Sequence, residues 1–218
     1  MGSILTRAAN TDVIQFTLVK AQAAMHTGLT WCRTGATLLA ALLLAVPALG
    51  GTILVPQPAL HISRELGAAR LAGSGDYSWF GLKIYTAELW VGAAGYARGA
   101  PQAAPFVLDL RYARALDGQK IAEASAGQME KIGAGTAAQR AAWLTAMNAI
   151  FPNVEEGSHI SAVYLPAAGV RFYLDGKVLG EVADAAIGPA FFGIWLGPAS
   201  TAGRLREHLL RDAAPPVR

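Results

Sequence analysis

Tyr77-Ser78-Trp79-Phe80-Gly81-Leu82-Lys83-Ile84-Tyr85-Thr86-Ala87-Glu88-Leu89-Trp90-Val91 decides the fold class. Aromatic and β-branched residues recur in it at near period two, and polar Lys83, Thr86 and Glu88 interleave with them. Such a pattern fits strands with one buried face, here two strands in a hairpin that turns near Trp79 to Gly81. Downstream, Phe106 to Tyr112 reads as a third strand after a loop of Gly, Ala and Pro over 92–105. His159 to Leu165, Val170 to Leu174 and Lys177 to Val182 read as two further hairpins, the second turning at Asp175-Gly176, a pair that tolerates the positive φ angles of a type I′ turn.

Between these blocks the period becomes helical. Asp117 can cap a helix through Ile121, Ala124, Gln128 and Met129, which Gly133 and Gly135 stop. Thr136 with Gln139 three residues on forms a capping-box pattern, opening a helix with Trp143, Leu144, Met147 and Ile150 on one face and Pro152 beyond its end. Two more helices, Ala186 to Leu196 and Arg204 to Leu210, close the chain. Leu60 to Ser63 alternates apolar and polar after Pro56 and Pro58, which predicts a first edge strand after a flexible segment over 51–65. This order of elements predicts an α+β domain over 66–212: an antiparallel sheet covered on one face by helices.

The composition agrees with a single domain. Of 218 residues 53% are hydrophobic and 15% charged, and a chain of this size accommodates one core. The charges are scattered, so a net +3 produces no phosphate-tracking stripe and argues against a nucleic-acid partner. The mean hydropathy of +0.34 is concentrated in Gly35 to Val46, twelve residues without a charge, preceded by Arg33 and followed by Pro47-Ala48-Leu49-Gly50. That is the layout of a signal peptide with a conventional start at Met25 and cleavage after Gly50. The run is too short for the roughly 20 apolar residues of a membrane span. Residues 1–50 are therefore read as a leader, and the protein as periplasmic or secreted, with no stable membrane span in the mature chain. Cys32, the only cysteine, lies in that leader, so the mature chain has no thiol for disulfides, thiolate metal sites or cysteine catalysis.

Motifs for the commoner chemistries are missing. Gly73-x-Gly75 lacks the third glycine and the helix of a dinucleotide fingerprint, and no Gly-x-Ser-x-Gly elbow occurs. His61, His159 and His208 are far apart in sequence and lack the i, i+4 pairing of a zinc helix, so neither a metal nor a cofactor is expected.

Four blocks together carry a family resemblance: Gly73-x-Gly75 ahead of the hairpin with Lys83-Ile84-Tyr85, the run Tyr164 to Gly169, the turn Asp175-Gly176-Lys177, and Phe191-Phe192-Gly193-Ile194-Trp195-Leu196-Gly197. In order and spacing this chain resembles the chalcone isomerase-like family, especially its exported bacterial members, over roughly Leu66 to Leu210. The resemblance implies an open-faced sandwich with a pocket between the sheet and the helical layer for flat or chain-like apolar molecules. In true chalcone isomerases an arginine after the Gly-x-Gly steadies the attacking phenolate; here Tyr77 stands in its place. The family's threonine falls on Tyr85, with Thr86 one position off, and its tyrosine and asparagine fall on Ile121 and Gln128. A tyrosine offers no permanent positive charge, and Ile121 cannot orient water. The expectation is thus a protein without isomerase activity that binds an apolar ligand such as a fatty acid. Its candidate liners are Tyr77, Tyr85, Trp90, Gln128 and Met129, with Arg111 or Arg114 to meet a carboxylate. The alternatives are an isomerase or intramolecular lyase with a rebuilt site, and an interaction module of the cell envelope whose pocket is filled by side chains.

Overall fold

The computed structural model describes residues 56–214; the leader, with its apolar run and expected cleavage point, lies outside the described residues. A short helix, α1 (Leu60–Leu66), precedes three strands, β1 (Arg70–Trp79), β2 (Leu82–Val91) and β3 (Phe106–Tyr112). Two helices follow, α2 (Gly118–Lys131) and α3 (Ala137–Ile150), then β4 (His159–Leu165), β5 (Gly169–Leu174), β6 (Lys177–Val182), α4 (Ile187–Leu196) and α5 (Gly203–Leu209). The six strands form one sheet in sequence order, each antiparallel to its neighbour. This is the α+β open-faced sandwich expected from the sequence, with α2–α5 on one face.

Local chemistry explains the boundaries. Asp117 accepts a hydrogen bond from the Lys120 amide at 3.1 Å and starts α2. Thr136 and Gln139 exchange the two bonds of a capping box at the start of α3, 3.2 and 2.9 Å. Phe80 and Gly81 take φ 46° and 77° in the first hairpin turn, and Asp175 and Gly176 take 48° and 80° in the last, the left-handed pairs a two-residue hairpin turn requires.

The predicted edge strand at Leu60 to Ser63 is instead the first turn of α1. Four alternating residues are too few to separate period two from a helix. In the structure the adjacent His61 and Ile62 are both buried while Leu60 is 67% exposed, a pattern a helix produces and a strand does not. Gly67, at φ 70°, ends the helix and was the signal to read. The segment expected to be flexible up to residue 65 thus includes a helix docked on the sheet. α1 lies on the face away from α2–α5, where Ile62 packs with Trp90, Val107, Val163 and Tyr173.

The main core lies on the other face. α4 buries Phe191, Phe192, Ile194, Trp195 and Leu196. Phe192 meets Phe106 and Tyr164 edge-on at 4.7 and 5.9 Å, and Phe191 meets Phe172 at 5.3 Å. Approach this close requires Gly188, where a Cβ would stand 2.4 Å from Cε2 of Tyr164, a ring itself stacked on Phe106 at 5.0 Å. Gly188→Ala is therefore expected to destabilise the fold by about 1–3 kcal/mol in urea unfolding. In the same assay Gly127→Ala, inside α2 with open space around the new methyl, should stabilise it by about 1 kcal/mol or less.

Candidate functional site

Register builds a wall of tyrosines beneath the helices. Tyr77 pairs with Tyr85 across β1 and β2, and Tyr85 with Tyr112 across β2 and β3, so three tyrosines form a row on the helix-covered face. Tyr77 stacks on Tyr85 at 5.1 Å, Tyr112 meets Tyr85 edge-on at 6.1 Å, and Trp195 Nε1 of α4 donates to the Tyr85 hydroxyl at 2.9 Å. Burial pushes the phenols of Tyr85 and Tyr112 well above their ordinary value, the Trp195 donor offsetting part of the effect for Tyr85. The wall is therefore neutral at physiological pH and its central hydroxyl is already engaged.

The seven residues read from the sequence as one lining divide into separate groups. Tyr77 and Tyr85 come together as expected. Met129 is fully buried in the core from α2, and Gln128 beside it accepts a hydrogen bond from Thr201 Oγ1 at 3.1 Å. Trp90 and Arg111 project from the opposite face of the sheet, because they alternate with Leu89 and Leu110, which point into the main core. Trp90 Nε1 donates there to Glu88 at 3.0 Å, and Arg111 is exposed. Arg114 follows β3, partly buried, its Nε enclosed and lacking a hydrogen-bond partner among the described residues.

Sequence reasoning missed the open space. A hollow of about 440 Å³ lies between β1 and α5, lined by Ser74, Gly75, Asp76, Thr86, Arg204, Leu205 and His208. Gly75 lets α5 come near, since a Cβ there would be 2.8 Å from Leu205 Cδ1 and 3.2 Å from His208. Asp76 is held by Lys83 Nζ and Thr86 Oγ1, both at 2.8 Å, and these donors lower its pKa, the Lys83 bond most of all. Gly73 and Gly75, quoted for their spacing, thus mark the seat of α5.

The distant histidines His61 and His159 meet on the other face. His61 Nε2 lies 2.8 Å from Ser161 Oγ, Ser161 donates to Asp109 Oδ1 at 2.5 Å, and His159 Nδ1 lies 2.7 Å from Asp109 Oδ2. The residue types are those of a catalytic triad, but the order is wrong. The Ser161 hydroxyl donates its hydrogen bond to the carboxylate, so its oxygen accepts from His61 rather than losing a proton to it, and the serine is 0% exposed. Desolvation lowers the pKa of His61, while the hydrogen bond to Asp109 raises that of His159. The network fastens α1 to the sheet. Among the described residues no group of three or more His, Cys, Asp or Glu is placed to hold a metal ion, and no helix is long and apolar enough to cross a membrane.

Comparison with known proteins agrees with this geometry. A family model described as chalcone isomerase-like matches residues 65–211. An uncharacterized protein of Haemophilus influenzae is 29% identical over 138 residues, covering 63% of this chain, and the chain spans 66% of that protein's length. Among solved structures, a fatty-acid binding protein of Arabidopsis thaliana superposes with a TM-score of 0.50 at 14% identity, covering 67% of this chain and 88% of that one.

The tyrosine row has a consequence at high pH. A phenol whose folded pKa exceeds the unfolded value near 10 adds stability that is fully present below that pH and is lost as pH rises through the folded value. Absorbance of tyrosinate is therefore expected to lag behind that of the unfolded chain, with Tyr85 and Tyr112 ionising only as the fold is lost above about pH 10. Titration of all six tyrosines as one group in a folded protein would contradict the enclosed wall.

Proposed function

The chain belongs to the chalcone isomerase-like family, and we propose that it is a binding protein of that family without isomerase activity, its ligand an apolar molecule with a carboxylate end such as a fatty acid. The observation that carries this reading is the neutral wall. Where the isomerase needs a cation to steady a phenolate, Tyr77 lies flat on Tyr85, whose hydroxyl is taken by Trp195. Electrostatic stabilisation of a developing oxyanion has no source in such a wall. Binding can use a space beside it. The hollow between β1 and α5 is within the roughly 300–1,000 Å³ range of small-molecule sites, and Arg204 and His208 on its lining supply the polarity that would orient an acid. The plant protein of similar fold carries the description fatty-acid binding, which favours the same ligand class here.

The leader pattern supports work after export, in the periplasm or outside the cell. In this reading the protein uses no cofactor and no nucleic acid. The space between sheet and helices is occupied by Met129, Tyr112 and the α4 aromatics. In this reading the ligand lies along the α5 edge, and the filled interior is also the one observation that favours the second reading, an envelope interaction module.

Displacement of a fluorescent fatty acid by palmitate, alongside a chalcone cyclisation assay, separates the readings. We expect saturable binding near one palmitate per chain, weakened about tenfold or more by Arg204→Glu, and chalcone consumed only at its rate in buffer. Cyclisation that scales with protein concentration would establish the isomerase. Absence of palmitate binding would leave the envelope module.

A further inference from the structure

The β1–β2 hairpin reaches past the strand beside it. β2 pairs with β3 from Tyr85 onward, and the last bond to the following segment is Ala113 N to Ile84 O. Residues 78–83 overshoot that boundary, and their turn presents Phe80 at 85%, Leu82 at 52% and Trp79 at 37% exposure.

Folding does not account for Phe80. Its backbone is left-handed, φ 46°, where Asn, Asp or Gly sits at lower cost. Its ring touches Trp79 edge-on at 4.5 Å and otherwise faces solvent. The position is therefore left-handed and apolar together, and the chain's own packing makes little use of the ring.

The size of the patch selects the occupant. With aromatic side chains at about 150–250 Å² each, the three residues expose roughly 300–400 Å², well below the about 800 Å² that each partner contributes to a stable protein interface. A lipid bilayer needs far less: a few Trp, Phe and Leu side chains in its headgroup–acyl boundary with basic residues at the rim. Lys83 follows the tip directly. α5 sets Leu209 over Gly73 and Leu205 over Gly75, so its first residues, Arg204 among them, lie toward the tip as well. We propose that the β1–β2 hairpin is a membrane-docking element, inserting Phe80 and Leu82 with Trp79 at their flank into a phospholipid surface, while Lys83 and Arg204 stand at headgroup level. The inference goes beyond the ligand reading and does not rest on it, since a hairpin can dock whether or not the α5 hollow holds an acid.

The test is an environment-sensitive fluorophore on Ser78→Cys in a Cys32→Ser background of the full chain, mixed with vesicles of phosphatidylcholine and phosphatidylglycerol with and without brominated acyl chains. Because the label reads the tip itself, lipid contact made by the apolar run at 35–46 does not register. A blue shift with quenching by brominated lipid is expected, lost by at least about tenfold in apparent affinity when Phe80→Asn and Leu82→Ser are added. Both substitutions suit an exposed turn, and circular dichroism checks that the variant folds. A label that keeps its buffer spectrum while the protein pellets with vesicles would overturn the proposal. So would a blue shift that depends on protein concentration without lipid, because the tip would then be meeting a second copy.

Discussion

The packing of α4 onto the sheet is the contact on which the rest of the structure depends. Phe191 and Phe192 enter between the rings of Phe106, Tyr164 and Phe172, and Trp195 reaches the tyrosine row. Burying a side chain of this size is worth about 1.5–3 kcal/mol, so these few residues supply a large share of a stability that totals only about 5–15 kcal/mol. The same contact sets the character of the site. Trp195 donates to Tyr85, and Tyr85 carries Tyr77, so the helix that fills the core also fixes the wall and keeps it uncharged.

The sheet separates two kinds of chemistry. On the helix-covered face, aromatic and aliphatic side chains fill the interior, and a hollow lies at the β1–α5 edge. On the other, Asp109, Ser161, His61 and His159 form a polar network around a short apolar strip under α1. A buried carboxylate is costly unless it is hydrogen-bonded, and Asp109 meets that condition through both of its oxygens. Arg111 belongs to this second face, exposed beside its cross-strand neighbour His159, which removes it from any ligand site next to Tyr77.

The strand pattern around Tyr77 to Val91, the capping box at Thr136 and the Asp175-Gly176 turn were legible because each follows a local rule that tertiary packing did not override. α1 was not, since Leu60 to Ser63 is too short for its period to speak. The pairing of Tyr77 with Tyr85 was not legible from the turn alone, since residues equidistant from Phe80-Gly81 would set Tyr77 opposite Ile84, and a register shift between Tyr77 and Ser78 brings it to Tyr85 instead. The grouping of Trp90 and Arg111 with that pair was not supported by strand parity, which puts them on the other side of the sheet. The α5 hollow was beyond reach of the sequence, because which helix covers Gly73 and Gly75 depends on chain crossing rather than on any neighbouring residue.

The function proposed for this chalcone isomerase-like fold, with Tyr77 where an isomerase carries its cation, is the holding of a small acid. Native mass spectrometry of the purified protein tests it most directly, followed by denaturation and identification of what is released. An acyl carboxylate near one per chain, released on unfolding, is expected. A chain that is empty as purified and remains empty after incubation with fatty acids would contradict it.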